Sequence, residues 1–312
     1  MLQLDASALA ACLDREALID ALDAAFRGSA VVPPRQQYAI KQTGARGGTL
    51  LVMPAWRAGS LGIKLVTVYP DNAARGLPAV AATYMLLDAS TGVPRALLDG
   101  EELTLRRTGA ASALASRYLS RPEAARLTMV GTGQLAPHLI ESHARVRPIR
   151  EVRVWGRRSE RARAVAASLH CPQLRVEAVD DLEAAVRWAD VVSCATLSQQ
   201  PLVRGAWLRA GQHLDLVGAF NPEMCEADDE AVARAELYVD TRVGALAESG
   251  EIVGAIARGV IGPQAVRAEL SELASGRFKR SHPAAITLFK SVGTALEDLA
   301  AAELAIARRA AT

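Results

Sequence analysis

The stretch that decides the fold runs Leu127-Thr128-Met129-Val130-Gly131-Thr132-Gly133-Gln134-Leu135-Ala136. A short apolar run of strand character leads into two glycines one residue apart, and a helical pattern opens directly behind them. Gly131 permits the tight turn, Gly133 lets backbone come close to a bound group, and Ala136 is small enough for the helix to pack on the strand. The start of such a helix offers free N–H groups and a positive dipole end, which suits the pyrophosphate of a dinucleotide. Gly131, Gly133, Gln134, Leu135 and Ala136 are therefore the expected cofactor-binding residues.

Downstream of this turn, strands and helices alternate. Glu151–Trp155 is read as a strand followed by a helix through Leu169, and Arg175–Ala178, a helix over 181–188, Val191–Ala195 and Gln212–Val217 follow. That order predicts an α/β fold with a Rossmann-type, doubly wound parallel sheet. Upstream the texture differs. Residues 6–28 carry Leu9, Leu13, Leu18, Leu22 and Phe26 at helical spacing, as one helix or two. Thr49–Met53, Gly62–Val68, Ala79–Leu87 and Pro94–Leu98 read as strands of an antiparallel or mixed sheet, and a long helix is expected from Leu103 to Tyr118. The tail from Thr287 to Arg309 reads as helix.

The end of the second strand selects between dinucleotides. A site for NAD usually places Asp or Glu there to bind the ribose 2′-hydroxyl. This chain has Trp155-Gly156-Arg157-Arg158-Ser159, with two guanidinium groups where a 2′-phosphate would sit. Arg157, Arg158 and Ser159 thus point to NADP(H) over NAD(H); Ser159 is also a natural N-cap for the next helix.

Composition narrows the class further. A net charge of +2 without a coherent basic face argues against nucleic acid as a partner. The four cysteines, Cys12, Cys171, Cys194 and Cys225, form no CxxC pair and read as reduced thiols. His138 and His143 are five apart, off one helical face, so no metal site is expected. Asp5, Asp14, Arg15 and Glu16 interrupt any secretory signal, and no apolar run is long enough for a bilayer, so the expected compartment is the cytoplasm, with no membrane partner.

With these landmarks placed, the chain resembles the ornithine cyclodeaminase/mu-crystallin family over nearly its whole length. The resemblance rests on Val52-Met53-Pro54, Gly62-Ile63-Lys64, Arg107-Thr108-Gly109-Ala110-Ala111-Ser112, the loop from Gly131 to Ala136, and Phe289-Lys290-Ser291-Val292-Gly293 followed by Glu297-Asp298. It implies a discontinuous α+β substrate-binding and dimerisation domain over 1–115, completed by a C-terminal helix within 284–312, around a cofactor domain over 116–283. It implies a homodimer acting on a small amino or imino acid. Family activities include reduction of cyclic ketimines such as pyrroline-2-carboxylate, reversible amino-acid oxidation and ornithine cyclodeamination, and mu-crystallin uses the scaffold to bind ligand.

The resemblance makes Lys64 the active-site lysine and Arg107 the arginine for the substrate carboxylate, also beside the cofactor. Arg35 in Pro33-Pro34-Arg35 resembles a second carboxylate-binding arginine. Thr108 and Ser291 match positions near the cofactor, and Val292 one beside the substrate. Read by itself, a plain apolar strand would turn Lys64 outward, and Arg107 beside Arg106 would be a solvated pair. The sequence departs from the cyclodeaminases at Leu51 and at Phe220 in Val217-Gly218-Ala219-Phe220-Asn221-Pro222, where those enzymes carry acids. A phenylalanine moves no proton. The expectation is therefore imine reduction or amino-acid oxidation, with cyclodeamination, or ligand binding without turnover, as the alternatives.

Overall fold

The computed structural model describes residues 1–42 and 47–310, and the chain divides into two units, Met1–Arg107 with Thr294–Thr312, and Thr108–Gly293. Residues 311–312 of the expected C-terminal segment lie outside the described residues. The first unit contains β1 (Leu2–Leu4), α1 (Ala6–Cys12), α2 (Arg15–Arg27), β2 (Gln36–Ile40), β3 (Gly48–Arg57), β4 (Ser60–Val68), β5 (Val80–Asp88) and β6 (Pro94–Asp99). The boundary then falls inside α3 (Gly100–Leu119), at 107/108 and not at the expected 115/116.

Residues 6–28 become two helices because each finds its own cap. Asp5 accepts from the Ala8 N–H at 2.8 Å, and Asp14 from the Ala17 N–H at 3.1 Å. The six strands form one sheet in the order β1-β6-β5-β4-β3-β2, with β1 parallel to β6 and the other pairs antiparallel. One face of this sheet carries Met53, Ala55, Tyr84, Leu86 and Leu98, all buried. The last helix of the chain, α11 (Ala295–Ala310), packs on β3, β4 and α2 and buries Leu299. Each such leucine, taken fully from water, contributes roughly 1.5–3 kcal/mol.

The second unit runs β7 (Arg126–Val130), α4 (Leu135–Val146), β8 (Glu151–Trp155), α5 (Ser159–Ser168), β9 (Arg175–Ala178), α6 (Leu182–Trp188), β10 (Val191–Cys194) and β11 (His213–Leu216). It continues with α7 (Asp229–Arg234), β12 (Glu236–Val239), α8 (Arg242–Glu248), α9 (Gly250–Ala257), β13 (Val266–Glu269), α10 (Leu270–Ala274) and β14 (Thr287–Lys290). All eight strands are parallel, in the order β13-β12-β14-β11-β10-β7-β8-β9. The order reverses at β7, which is the doubly wound arrangement.

The tail is the main correction to the sequence expectation. Thr287–Lys290 is not helix but β14, a central strand between β11 and β12 with all four residues buried. A parallel strand covered on both faces shows no alternation, so nothing in its pattern separates it from the start of a helix. The return to the first unit consequently falls at 293/294, not 283/284. β12 and β13, four residues each, also lie in a region where the sequence suggested no strand.

Candidate active site

In the first unit, Lys64 points to the buried face of its sheet. It pairs across β3 with Met53 and across β5 with Tyr84, and is 2 % exposed. Its ammonium donates to Asp298 Oδ1 at 2.9 Å and lies 2.7 Å from Oδ2. Arg107, 6 % exposed on α3, bonds Glu297 through Nη1 and pairs with Asp298 through Nε at 3.1 Å. Two cations and two carboxylates thus form one buried, charge-balanced cluster, with Asp298 shared between Lys64 and Arg107. Burial is the main force lowering the Lys64 pKa; Asp298 opposes it, Arg107 reinforces it, and the outcome is about 8.

Glu297 and Asp298 stand in the first turn of α11, where acidic side chains also meet the helix dipole favourably. The sequence showed the pair but not its partners, because Asp298 and Lys64 are 234 positions apart. Tyr84 carried no signal at all. Its hydroxyl is buried without a hydrogen-bond partner among the described residues, and burial, then Asp298 and Glu303, push its pKa well up. Gly62 explains itself here: a Cβ would lie 1.8 Å from that hydroxyl. Arg35 is half-buried and immediately precedes β2, one position beyond the Gln36–Val52 pair and so in line with Met53, the other cross-strand neighbour of Lys64.

In the second unit, the turn after β7 has the shape a pyrophosphate needs. Gly131 has φ +127°, and a Cβ there would lie 2.4 Å from the Ala195 carbonyl oxygen. At Gly133 a Cβ would meet nothing within 4 Å, so this side of the loop is open. Among the described residues, α1, α2, α6, α7, α8 and α9 receive a side-chain cap, yet Gln134 at the start of α4 supplies none. Open backbone and uncapped N–H groups fit a dinucleotide phosphate. The end of β8 joins the same place: Gly131 N–H donates to the Trp155 carbonyl at 2.9 Å, and Gly156 leaves room for Thr132.

Arg157 and Arg158 are exposed, and Arg158 lies 3.9 Å from Glu160. Ser159 does not cap α5; its hydroxyl donates to Asp180, an acid just beyond β9 that the sequence had not singled out. Thr108 and Val292 are buried, and Ser291 donates to Asp240 Oδ2 at 3.1 Å. The same oxygen accepts the N–H groups of Val292 and Gly293 at 2.8 and 2.7 Å, so Asp240 holds this turn. Phe220 is 44 % exposed, while the nearby Glu226 is fully buried and committed to backbone N–H groups. Among the described residues, no group of three or more His, Cys, Asp or Glu could hold a metal ion.

Comparison with known proteins agrees with this architecture. The model of the ornithine cyclodeaminase/mu-crystallin family matches residues 4–311. A Delta(1)-pyrroline-2-carboxylate reductase of Paracoccus denitrificans is 39% identical over 90% of this chain and 89% of its own length. The structure of the Thermococcus litoralis Delta(1)-pyrroline-2-carboxylate reductase in complex with NADH and L-proline superposes with TM-score 0.93 at 34% identity, covering 100% of this chain and 98% of that one. An archaeal alanine dehydrogenase dimer with bound NAD gives 0.91 at 31% identity, covering 100% and 96%.

Proposed function

The chain belongs to the ornithine cyclodeaminase/mu-crystallin family, and from that premise we propose that it is an NAD(P)H-dependent oxidoreductase that reduces the C=N bond of a small imino acid. A cyclic ketimine such as pyrroline-2-carboxylate is the substrate type, and oxidation of the amino acid is the reverse reaction. The observation that carries this reading is the Lys64 ammonium, buried, tuned to about 8 and joined to Arg107 through Asp298.

An imino acid presents a carboxylate beside a C=N bond. Arg107 orients the carboxylate, with Arg35 as a second contact and Val292 beside the substrate. Lys64 holds the proton that the imine nitrogen takes up. The bound nicotinamide supplies the hydride to the imine carbon. Because Lys64, Arg107, Glu297 and Asp298 balance in charge, an incoming carboxylate makes the cluster net negative. That raises the Lys64 pKa and keeps its proton in place until transfer.

The first unit is the substrate-binding and dimerisation domain in this proposal, and the second binds the cofactor through Gly131 to Ala136, Thr108 and Ser291. The sheet face opposite Lys64 supports a homodimer, since Tyr38, Trp56 and Leu65 on it are 50, 38 and 44 % exposed. A monomer by light scattering would refute that part. No helix among the described residues is long and apolar enough to cross a membrane. Four free cysteines support a reducing compartment, and we assign the cytoplasm.

The cofactor is a nicotinamide dinucleotide, and we propose NADP(H) over NAD(H) because Arg157 and Arg158 outnumber the Asp180 carboxylate beside them. Cyclodeamination is the weaker reading, since Leu51 and Phe220 supply no acid and Glu226 is already committed. The test follows NADPH and NADH oxidation against cyclic imines and against keto acids with amines, and ammonia release from L-ornithine. We expect imine-dependent oxidation, faster with NADPH, and little ammonia. Arg157→Ala should weaken NADPH binding by roughly 1.5–3 kcal/mol and leave NADH unchanged. A protein that binds cofactor and imine without turnover is the outcome that sinks the enzyme reading.

A further inference from the structure

The loops that leave the C-terminal ends of β7, β10 and β11 meet backbone to backbone. Gly131 approaches Ala195 as described, and a Cβ on Gly218 would lie 2.1 Å from both the nitrogen and the oxygen of Thr196. No side chain fits at position 131 or 218, so the N–H groups of these loops are held from elsewhere. One carboxylate does it. Glu226 Oε1 accepts from the Thr196 N–H at 2.6 Å and the Thr196 hydroxyl at 2.9 Å. Its Oε2 accepts from the Gly218 and Ala219 N–H groups at 2.8 and 3.3 Å.

A second layer fixes Glu226 itself. Its N–H donates to Glu251 Oε1 at 2.8 Å, and Glu251 pairs with Lys290, the last residue of β14, at 3.2 Å. Glu226, Glu251 and Lys290 are 0, 1 and 0 % exposed. A carboxylate receiving four donors has no lone pair left over for proton abstraction, so Glu226 is not a hidden catalytic base.

Its location gives it a different use. The sheet order reverses between β7 and β10, and a dinucleotide lies across such a switch point. A dinucleotide with its pyrophosphate at the Gly131 turn and its adenosine half toward β8 would direct its nicotinamide half toward the ends of β10 and β11. We propose that Glu226 is a positioning residue for the nicotinamide half of the cofactor, setting the Thr196 and Gly218 backbone on which that half rests. This rests on the dinucleotide-binding reading above.

The experiment separates the two halves of the ligand. The full-length protein is titrated with NADPH against 2′-phospho-ADP-ribose, and with NADH against ADP-ribose, which lack the nicotinamide. Glu226→Gln replaces one acceptor oxygen by an NH₂ that faces N–H donors. We expect its Kd for the whole dinucleotides to rise about tenfold or more, with the truncated ligands changed by less than about twofold. Thr196→Val removes only the hydroxyl contact and should act in the same direction by about threefold, which keeps the test open if Glu226→Gln does not fold. Equal weakening of whole and truncated ligands would reveal general loosening and overturn the inference, as would no change in either. If the folded, unmutated protein binds neither dinucleotide, the cofactor reading itself fails and this inference falls with it.

Discussion

Two buried networks of charged and polar side chains invite comparison. In the first unit, Lys64, Arg107, Glu297 and Asp298 form a cluster whose members are nearly or fully buried. In the second, Asp215 accepts hydrogen bonds from Ser112 at 3.0 Å and Ser193 at 2.7 Å, and lies 3.2 Å from His143 Nε2. His213 bonds Thr287 beside it at 2.9 Å. The Ser–Asp–His composition of the second resembles a catalytic set, yet the electrostatics run the other way. Burial pushes the Asp215 carboxyl up, but its hydrogen bonds with His143 and Ser193 hold it below the usual carboxylate value. Burial drives His213 down to about 3. Asp215 and His213 keep one protonation state across neutral pH and serve as scaffold, whereas Lys64 is set near 8, where a proton can be exchanged. Burial of titratable groups is common to both; in the first it brings Lys64 down to about 8, and in the second it drives His213 away from neutrality.

That contrast can be broken most severely at Lys64. Lys64→Met should lower kcat for imine reduction by about 10²–10⁴-fold with cofactor affinity intact. Stability should fall as well, by about 3–5 kcal/mol, because the buried cluster keeps one cation for two carboxylates, so turnover is read per folded molecule. Turnover near that of the unmutated protein would remove Lys64 from the proton-transfer role.

Asp215→Ala should cost stability alone. It leaves Ser112, Ser193 and His143 without their acceptor, a loss of about 3–5 kcal/mol by the analogy of a broken buried pair. Denaturant unfolding measures it, and the residual folded protein should keep its turnover per folded molecule. A stable but inactive Asp215→Ala would put the second network in the chemistry and dissolve the distinction.

The smallest effect is a pair of pH dependences with opposite origins. Imine reduction needs Lys64 protonated, so kcat/KM should fall as pH rises through about 8, and the limb should vanish in Lys64→Met. The kcat limb should lie higher, because the bound carboxylate raises the lysine pKa. His213, in contrast, affects folding. Its folded pKa of about 3 lies below the ordinary imidazole value of 6.5, so the unfolded chain binds the extra proton between those values. Stability should therefore fall as pH drops from 6.5 toward 3, by on the order of 1 kcal/mol per pH unit from this group. An acid limb unchanged in His213→Gln would contradict that assignment.

Legibility followed the range of the interactions. β7, β8 and β9 fall on the residues the sequence indicated, because strand, glycine turn and helix are written within a few positions of one another. β14 was misread as helix, since a strand buried on both faces carries no period of its own. In the candidate site, residue types were legible and partnerships were not: Glu297-Asp298 stood in plain view without a role, and Tyr84 and Asp240 had no local motif.

The sequence by itself determined the parallel α/β character of the second unit from β7 to β11, the glycine turn, the two arginines at the end of the second strand, and the absence of acids at positions 51 and 220. These depend on local periodicity, backbone freedom and side-chain chemistry, which neighbouring residues supply. Only the tertiary structure decided that Lys64 faces inward, that Asp298 joins it to Arg107, and that Glu226 ties the loops after β10 and β11. Desolvation and Coulomb energy depend on distance through space and on what displaces water, and residues 234 positions apart acquire that distance only when the chain has folded.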